Sequence, residues 1–167
     1  MLTGLIEPNL HPIFVHFAVA LLFTGSIATF VATVFPSGAW RGSLQTAGDW
    51  MLLLGWLAAL SAVIAGFDAY HEVTQDEASH AATHIHRNWA LATFACFTLL
   101  GAWRLFRRKN APSLVFAICL LAAAAPLTVT AWWGGRLVFH YGLGVQSMPD
   151  PSAEPGGHSH GDGDHHH

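Results

Sequence analysis

The sequence predicts an all-α membrane protein, folded as an up-and-down bundle of four transmembrane helices. Of its 167 residues, 53% are apolar and only 10% are charged, whereas soluble domains carry about 25% charged residues. The apolar residues also fall into four long runs. Each run approaches the ~20 residues that a helix needs to cross a bilayer. This length favours a single transmembrane domain, expected over residues 1–147.

Each helix is predicted from its apolar run and from the signals at its ends. Pro12 suits the first turn of the first helix, where its missing amide hydrogen costs nothing. Thr74 and Glu77 match a capping box that begins the third helix outside the membrane, and Pro126 suggests a kink in the fourth. The expected helices cover about residues 12–35, 49–70, 75–107 and 113–141.

The segment from residue 148 to 167 differs in composition and is predicted to be a disordered tail. It is rich in Gly, Pro, Asp and His, so it cannot bury a core. Short histidine-rich tracts bind transition metals. The last three histidines could instead be the remainder of a purification tag, although the preceding HSHGDGD favours a native tail. The tail's candidate metal ligands are His158, His160, His165, His166 and His167.

The basic residues predict the orientation of the bundle. Five of the seven Lys and Arg residues lie in the first and third connections between helices. Basic connections stay on the cytoplasmic side. Both termini and the connection from 69 to 88 are therefore expected on the outer side, the periplasm of a bacterial inner membrane. The five residues are Arg41, Arg104, Arg107, Arg108 and Lys109.

All histidines of the chain fall on this predicted outer side, and they are the main candidates for a site. The helical period places Glu77, His80, His84 and Asn88 on one face of the third helix. Small residues continue that face, which we expect to point into the bundle: Ala92, Ala95 and Ala102. His86 lies some 160° away from His84 around the same helix. Outside the tail the histidines are His11, His16, His71, His80, His84, His86 and His140.

Two kinds of cofactor suit histidines that several helices bring to one end of a bundle. A b-type haem needs two axial imidazoles and a cation near its propionates. His16 with His84 or His86 is the expected axial pair, with His140 in reserve, and Asn88 lies near the site. Arg136 or Arg87 would meet the propionates. His11, ahead of Pro12, is expected to be a cap or surface residue.

The alternative is a compact Zn, Cu or Ni site. Histidines such as His80 would then share the ion with Asp68 or Glu77 as a carboxylate ligand. Spacing alone leaves haem and a lone metal ion both open.

Four motifs resemble a family of bacterial membrane proteins grouped as domain of unknown function 2231. They are HPIFVHFAVALL, AGFDAY at the end of the second helix, His84 with Asn88, and GGRLVFHYGLGV after the fourth. The likeness extends to about Val145 and excludes the tail. Ala18 replaces a proline of the usual HFPIAL. The resemblance implies four membrane helices, and some relatives are joined to Rieske iron–sulfur domains, which implies an electron-transfer setting and favours haem.

The leading hypothesis is therefore a membrane electron carrier or redox-complex subunit rather than a stand-alone enzyme. It would exchange electrons between a quinol or membrane dehydrogenase and a periplasmic acceptor. A metal-handling membrane protein and a cofactor-free structural subunit are the alternatives. The lipid bilayer is the expected partner, and the net charge of −3 with only seven basic residues leaves no footprint for nucleic acid.

Overall fold

The computed structural model describes residues 10–35, 37–72 and 77–143, with side chains other than those of 68–72, 77 and 78. Within this part of the chain the secondary structure is helical, without strands. Each helix is long and apolar enough to cross a membrane, which confirms the predicted all-α class with four spans. The helices are α1 (His11–Val34), α2 (Arg41–Glu72), α3 (Glu77–Phe106) and α4 (Leu114–Phe139).

The four helices form two antiparallel hairpins. α1 packs most extensively against α2, and α3 packs against α4. α1 and α4 join the two hairpins, whereas α2 and α3 make the least contact. Consequently α1 and α3 are diagonal partners, whose backbones stay apart. We call the end where α1 and α3 begin the histidine end, and the opposite end the arginine end.

Small residues on α2 allow it to approach α1 closely. Gly48, Gly55 and Ala62 recur every seven residues on α2 and are all buried. A Cβ atom on Gly48 would lie 2.8 Å from Thr29 Oγ1, and one on Gly55 would lie 2.9 Å from the Leu22 side chain. Because no side chain larger than hydrogen fits at Gly48 or Gly55, these two positions set the separation of the two helices.

Large buried side chains are concentrated in the middle of the bundle and toward the arginine end. Toward the histidine end, the buried positions carry small side chains, such as Ala18, Ala62, Ser79 and Ala82. The two ends therefore differ in the size of their buried side chains. The large core cluster comprises Leu22, Phe97, Leu100, Phe116, Leu120, Ala123 and Leu127.

An ion pair connects α2 to α3 at the arginine end. Arg104 donates from Nε and Nη2 to the two carboxylate oxygens of Asp49, at 2.8 and 2.6 Å. Its Nη1 also donates to the carbonyls of Arg107 and Asn110. The guanidinium thus bonds two carbonyls of the turn that follows α3 while it binds the neighbouring hairpin.

α2 begins eight residues before the predicted start at 49, so that boundary was wrong. The additional turns are held by packing rather than by apolar character alone: Gly48 lies against α1, and Arg41 Nε donates to the Ala32 carbonyl at 3.0 Å. α3 begins at Glu77, close to the predicted position. Thr74, the other half of the predicted capping box, lies outside the described residues.

Candidate functional site

Two histidines face each other between the hairpins at the histidine end. The ring centroids of His11 and His86 are 6.5 Å apart, and the ring planes are nearly perpendicular at 89°. His11 is the first residue of α1, and His86 lies in the third turn of α3. The two imidazoles therefore bridge diagonal helices whose backbones are not in contact. Each hairpin contributes one ring.

A backbone carbonyl holds each ring in place. His11 Nδ1 donates to the Ala62 carbonyl of α2 at 2.7 Å, and His86 Nδ1 donates to the Thr130 carbonyl of α4 at 3.1 Å. Since a carbonyl can only accept, both Nδ1 atoms carry hydrogen. Such a bond fixes the tautomer and the ring orientation, and it makes Nε2 the acceptor nitrogen of each ring.

Two glycines make room for the rings. A Cβ atom on Gly66 of α2 would lie 3.0 Å from His11 Nδ1, and one on Gly134 of α4 would lie 3.3 Å from His86 Cε1. Each imidazole thus lies against the backbone of the helix whose carbonyl it bonds. Larger side chains at either glycine would push the ring out of position.

The sequence prediction that His11 is a cap or surface residue was wrong. His11 is partly buried, and it belongs to the inward face of α1 because steps of four and three residues connect it to buried positions. His16 is exposed, on a face with the exposed Phe23 and Ile27, and its Nδ1 contacts the Pro12 carbonyl of its own helix. The spacing of small residues was the signal that could have identified His11. Its face continues through Val15, Ala18, Leu22, Gly25, Thr29 and Ala32.

The predicted inward face of α3 was also wrong. Asn88 is exposed, as are the small residues Ala92, Ala95 and Ala102. Large apolar side chains fill the core instead, so the small residues that continue the His84 face lie outside the bundle. The inward face, which includes His86, comprises Ser79, Ala82, Ala90, Thr93, Phe97 and Leu100.

The remaining candidates on α3 form a separate group. His80 is exposed and His84 is half-buried; their ring centroids are 4.5 Å apart. Arg87 Nη2 donates to His84 Nδ1 at 2.9 Å.

The candidates on α4 lie apart from the histidine pair in their contacts. His140 is exposed at the end of the helix, and its ring packs against Tyr141 with centroids 4.8 Å apart. The guanidinium of Arg136 lies over the rings of Trp132 and Trp133, at 5.0 and 5.1 Å from their centroids. Such cation–π contacts hold the Arg136 charge beside the aromatic rings.

The other predicted metal ligands lie outside the described residues. They are the side chains of Asp68 and Glu77 and the histidines of the tail. Among the residues that are described, no three His, Cys, Asp or Glu side chains come together closely enough to hold a metal ion. The described histidine rings come together in two pairs, His11 with His86 and His80 with His84.

The fold and site define a four-helix membrane protein with an imidazole pair between its two hairpins. The chain belongs to the family described as "Predicted membrane protein (DUF2231)", whose model matches residues 7–147. The family suggested by the sequence motifs is thereby confirmed. No curated protein and no solved structure matches the chain.

Proposed function

We propose that this protein is a membrane-embedded haem b protein that transfers electrons, with His11 and His86 as the two axial ligands. The observation that carries the proposal is the pair itself: two imidazoles from opposite hairpins, 6.5 Å apart between ring centroids. The pair retains His86 from the sequence prediction and replaces His16 by His11.

The distance between the rings suits one metal ion between them. Two imidazole nitrogens that bind an ion from opposite sides, at about 2 Å each, lie about 4 Å apart. Their ring centres are farther apart by roughly one ring diameter, which agrees with the 6.5 Å observed. Bonds from both Nδ1 atoms to carbonyls are the usual support for histidines that ligate through Nε2.

The number of ligands in the pair suits haem. A zinc site takes three or four protein ligands, and the carboxylates considered for one, Asp68 and Glu77, have side chains outside the described residues. Haem brings its own ring nitrogens as ligands, so His11 and His86 would be sufficient to hold it. The two imidazoles come from diagonal helices, one in each hairpin.

The packing around the pair is made by small residues. Gly66 and Gly134 lie against the rings, and the buried positions nearby are small. α2 and α3, which belong to different hairpins, make little contact. A haem held by the pair would lie at this seam between the hairpins.

The bound haem would supply a one-electron redox centre. His11 and His86 would hold it, and the carbonyls of Ala62 and Thr130 would orient the two imidazoles and raise their basicity. Arg87 and Arg136 are the cations available to the propionates at this end. With the basic connections in the cytoplasm, the site lies near the periplasmic face of the inner membrane, between a quinol or dehydrogenase and a periplasmic acceptor.

A reduced-minus-oxidised absorption spectrum of the full chain, expressed with ample haem, tests the proposal. We expect Soret and α bands typical of six-coordinate low-spin haem. His11→Ala and His86→Ala should each convert the spectrum to a high-spin form or lose haem. Added imidazole should restore the low-spin bands where the variant still folds.

His16→Ala and His140→Ala are matched controls, because both side chains are exposed and neither belongs to the pair. Their spectra should equal that of the wild-type protein. Absence of haem bands in the wild-type protein would contradict the proposed function and favour a structural subunit. Haem bands that survive both His11→Ala and His86→Ala would contradict the ligand assignment.

A further inference from the structure

We propose that His80 and His84 form a second site, which binds a tetragonal transition-metal ion, Cu²⁺ or Ni²⁺. The two residues are four apart on α3, so they lie one turn above each other on the same side of the helix. Two histidines in this spacing bind one metal ion in known helical sites. The site does not depend on the haem proposal.

The two imidazoles of this pair lie close together. Their ring centroids are 4.5 Å apart, near enough for both rings to bind the same ion. Imidazole nitrogens are ligands that suit Cu²⁺ and Ni²⁺.

The position of the pair gives a metal ion access from water. His80 is exposed and His84 is half-buried, in the first turns of α3 at the histidine end. His84 lies about 160° around the helix from His86, so the two imidazole pairs face different directions. Two imidazoles at a site open to water predict reversible capture of the ion rather than permanent retention.

Arg87 sets the strength of the site. Its Nη2 donates to His84 Nδ1 at 2.9 Å, so the guanidinium occupies one nitrogen of the pair and repels a nearby cation. Metal binding through that nitrogen must displace the arginine. Removal of the positive charge in Arg87→Gln should therefore tighten Cu²⁺ binding, whereas loss of either imidazole should weaken it.

Equilibrium dialysis against CuCl₂ tests the site in a full-length background in which the five tail histidines, His158, His160, His165, His166 and His167, are replaced by Ser. We expect one Cu²⁺ per chain, with nitrogen hyperfine structure in the electron paramagnetic resonance spectrum. His80→Ala and His84→Ala should each weaken binding at least tenfold. NiSO₄ should bind at the same place more weakly.

His16→Ala is the matched control, a single exposed histidine whose loss should leave the Cu²⁺ affinity unchanged. Cu²⁺ binding that is equal in the background, His80→Ala and His84→Ala proteins would overturn the proposal. So would a background protein that binds no Cu²⁺. The haem spectrum should stay the same in His80→Ala, so failure of this site and failure of the haem proposal are distinguishable.

Discussion

At the scale of single residues, two neighbouring glycines of α4, Gly134 and Gly135, have different roles. A Cβ atom on Gly134 would meet the His86 ring at 3.3 Å, whereas one on Gly135 would meet nothing within 4 Å. Both residues lie inside the same helix, so their backbone environments are alike. Only Gly134 must stay small, because its backbone lies against the His86 ring.

This contrast predicts different outcomes for two alanine substitutions. Gly135→Ala should raise the unfolding free energy by about 0.5–1 kcal/mol, because alanine restricts the unfolded chain and favours the helix. Gly134→Ala should lose that gain and weaken haem binding, since the His86 ring must move by a few tenths of an ångström. Unfolding by denaturant in mild detergent and haem titration measure both effects. Identical behaviour of the two variants would show that Gly134 does not support His86.

At the scale of helices, the Asp49–Arg104 pair joins the two hairpins where α2 and α3 otherwise make little contact. The side chains are 35% and 18% exposed, so the pair is screened less than a surface ion pair. Trp56 of α2 adds a second connection, as its Nε1 donates to Thr98 Oγ1 of α3 at 2.9 Å. Polar contacts thus replace extensive packing between these helices.

Asp49→Asn should therefore destabilise the bundle by about 1–3 kcal/mol, between the values for surface and buried pairs. Arg104→Gln should cost at least as much, because its guanidinium also bonds two carbonyls. A double-mutant cycle measured by unfolding in detergent isolates the pair energy. Arg108→Gln, at an exposed residue of the same end, is the control. A coupling energy near zero would contradict a stabilising role for the pair.

For the whole molecule, the prediction concerns which end faces the cytoplasm. Asn110 is exposed at the arginine end and His140 at the histidine end. In a background with Cys96→Ser and Cys119→Ser, Asn110→Cys should react with a membrane-impermeant thiol reagent only after the cells are opened. His140→Cys should react in intact cells whose outer membrane is permeabilised. The reverse pattern would show that the basic connections lie outside.

The two histidines of α1 show how far the site could be predicted from the sequence. Both His11 and His16 stand at the start of the same apolar run, and hydropathy does not separate them. The helix faces separate them. His11 shares a face of α1 with the buried Ala18, Leu22 and Gly25, whereas His16 shares a face with the exposed Phe23 and Ile27. On α3, small residues suggested an inward face, but Phe97 and Leu100 fill the core. Side-chain size alone does not show whether a helix face meets lipid or another helix.

By itself, the sequence determined the class of the protein, its family and four membrane-spanning helices, because a helix must satisfy its own backbone in lipid. It also placed the histidines of α1, α3 and α4 near one end of the bundle. Only the tertiary structure decided which of them meet. The diagonal arrangement of α1 and α3 brought His11 to His86, since carbonyls and glycines of α2 and α4 hold each ring between the hairpins.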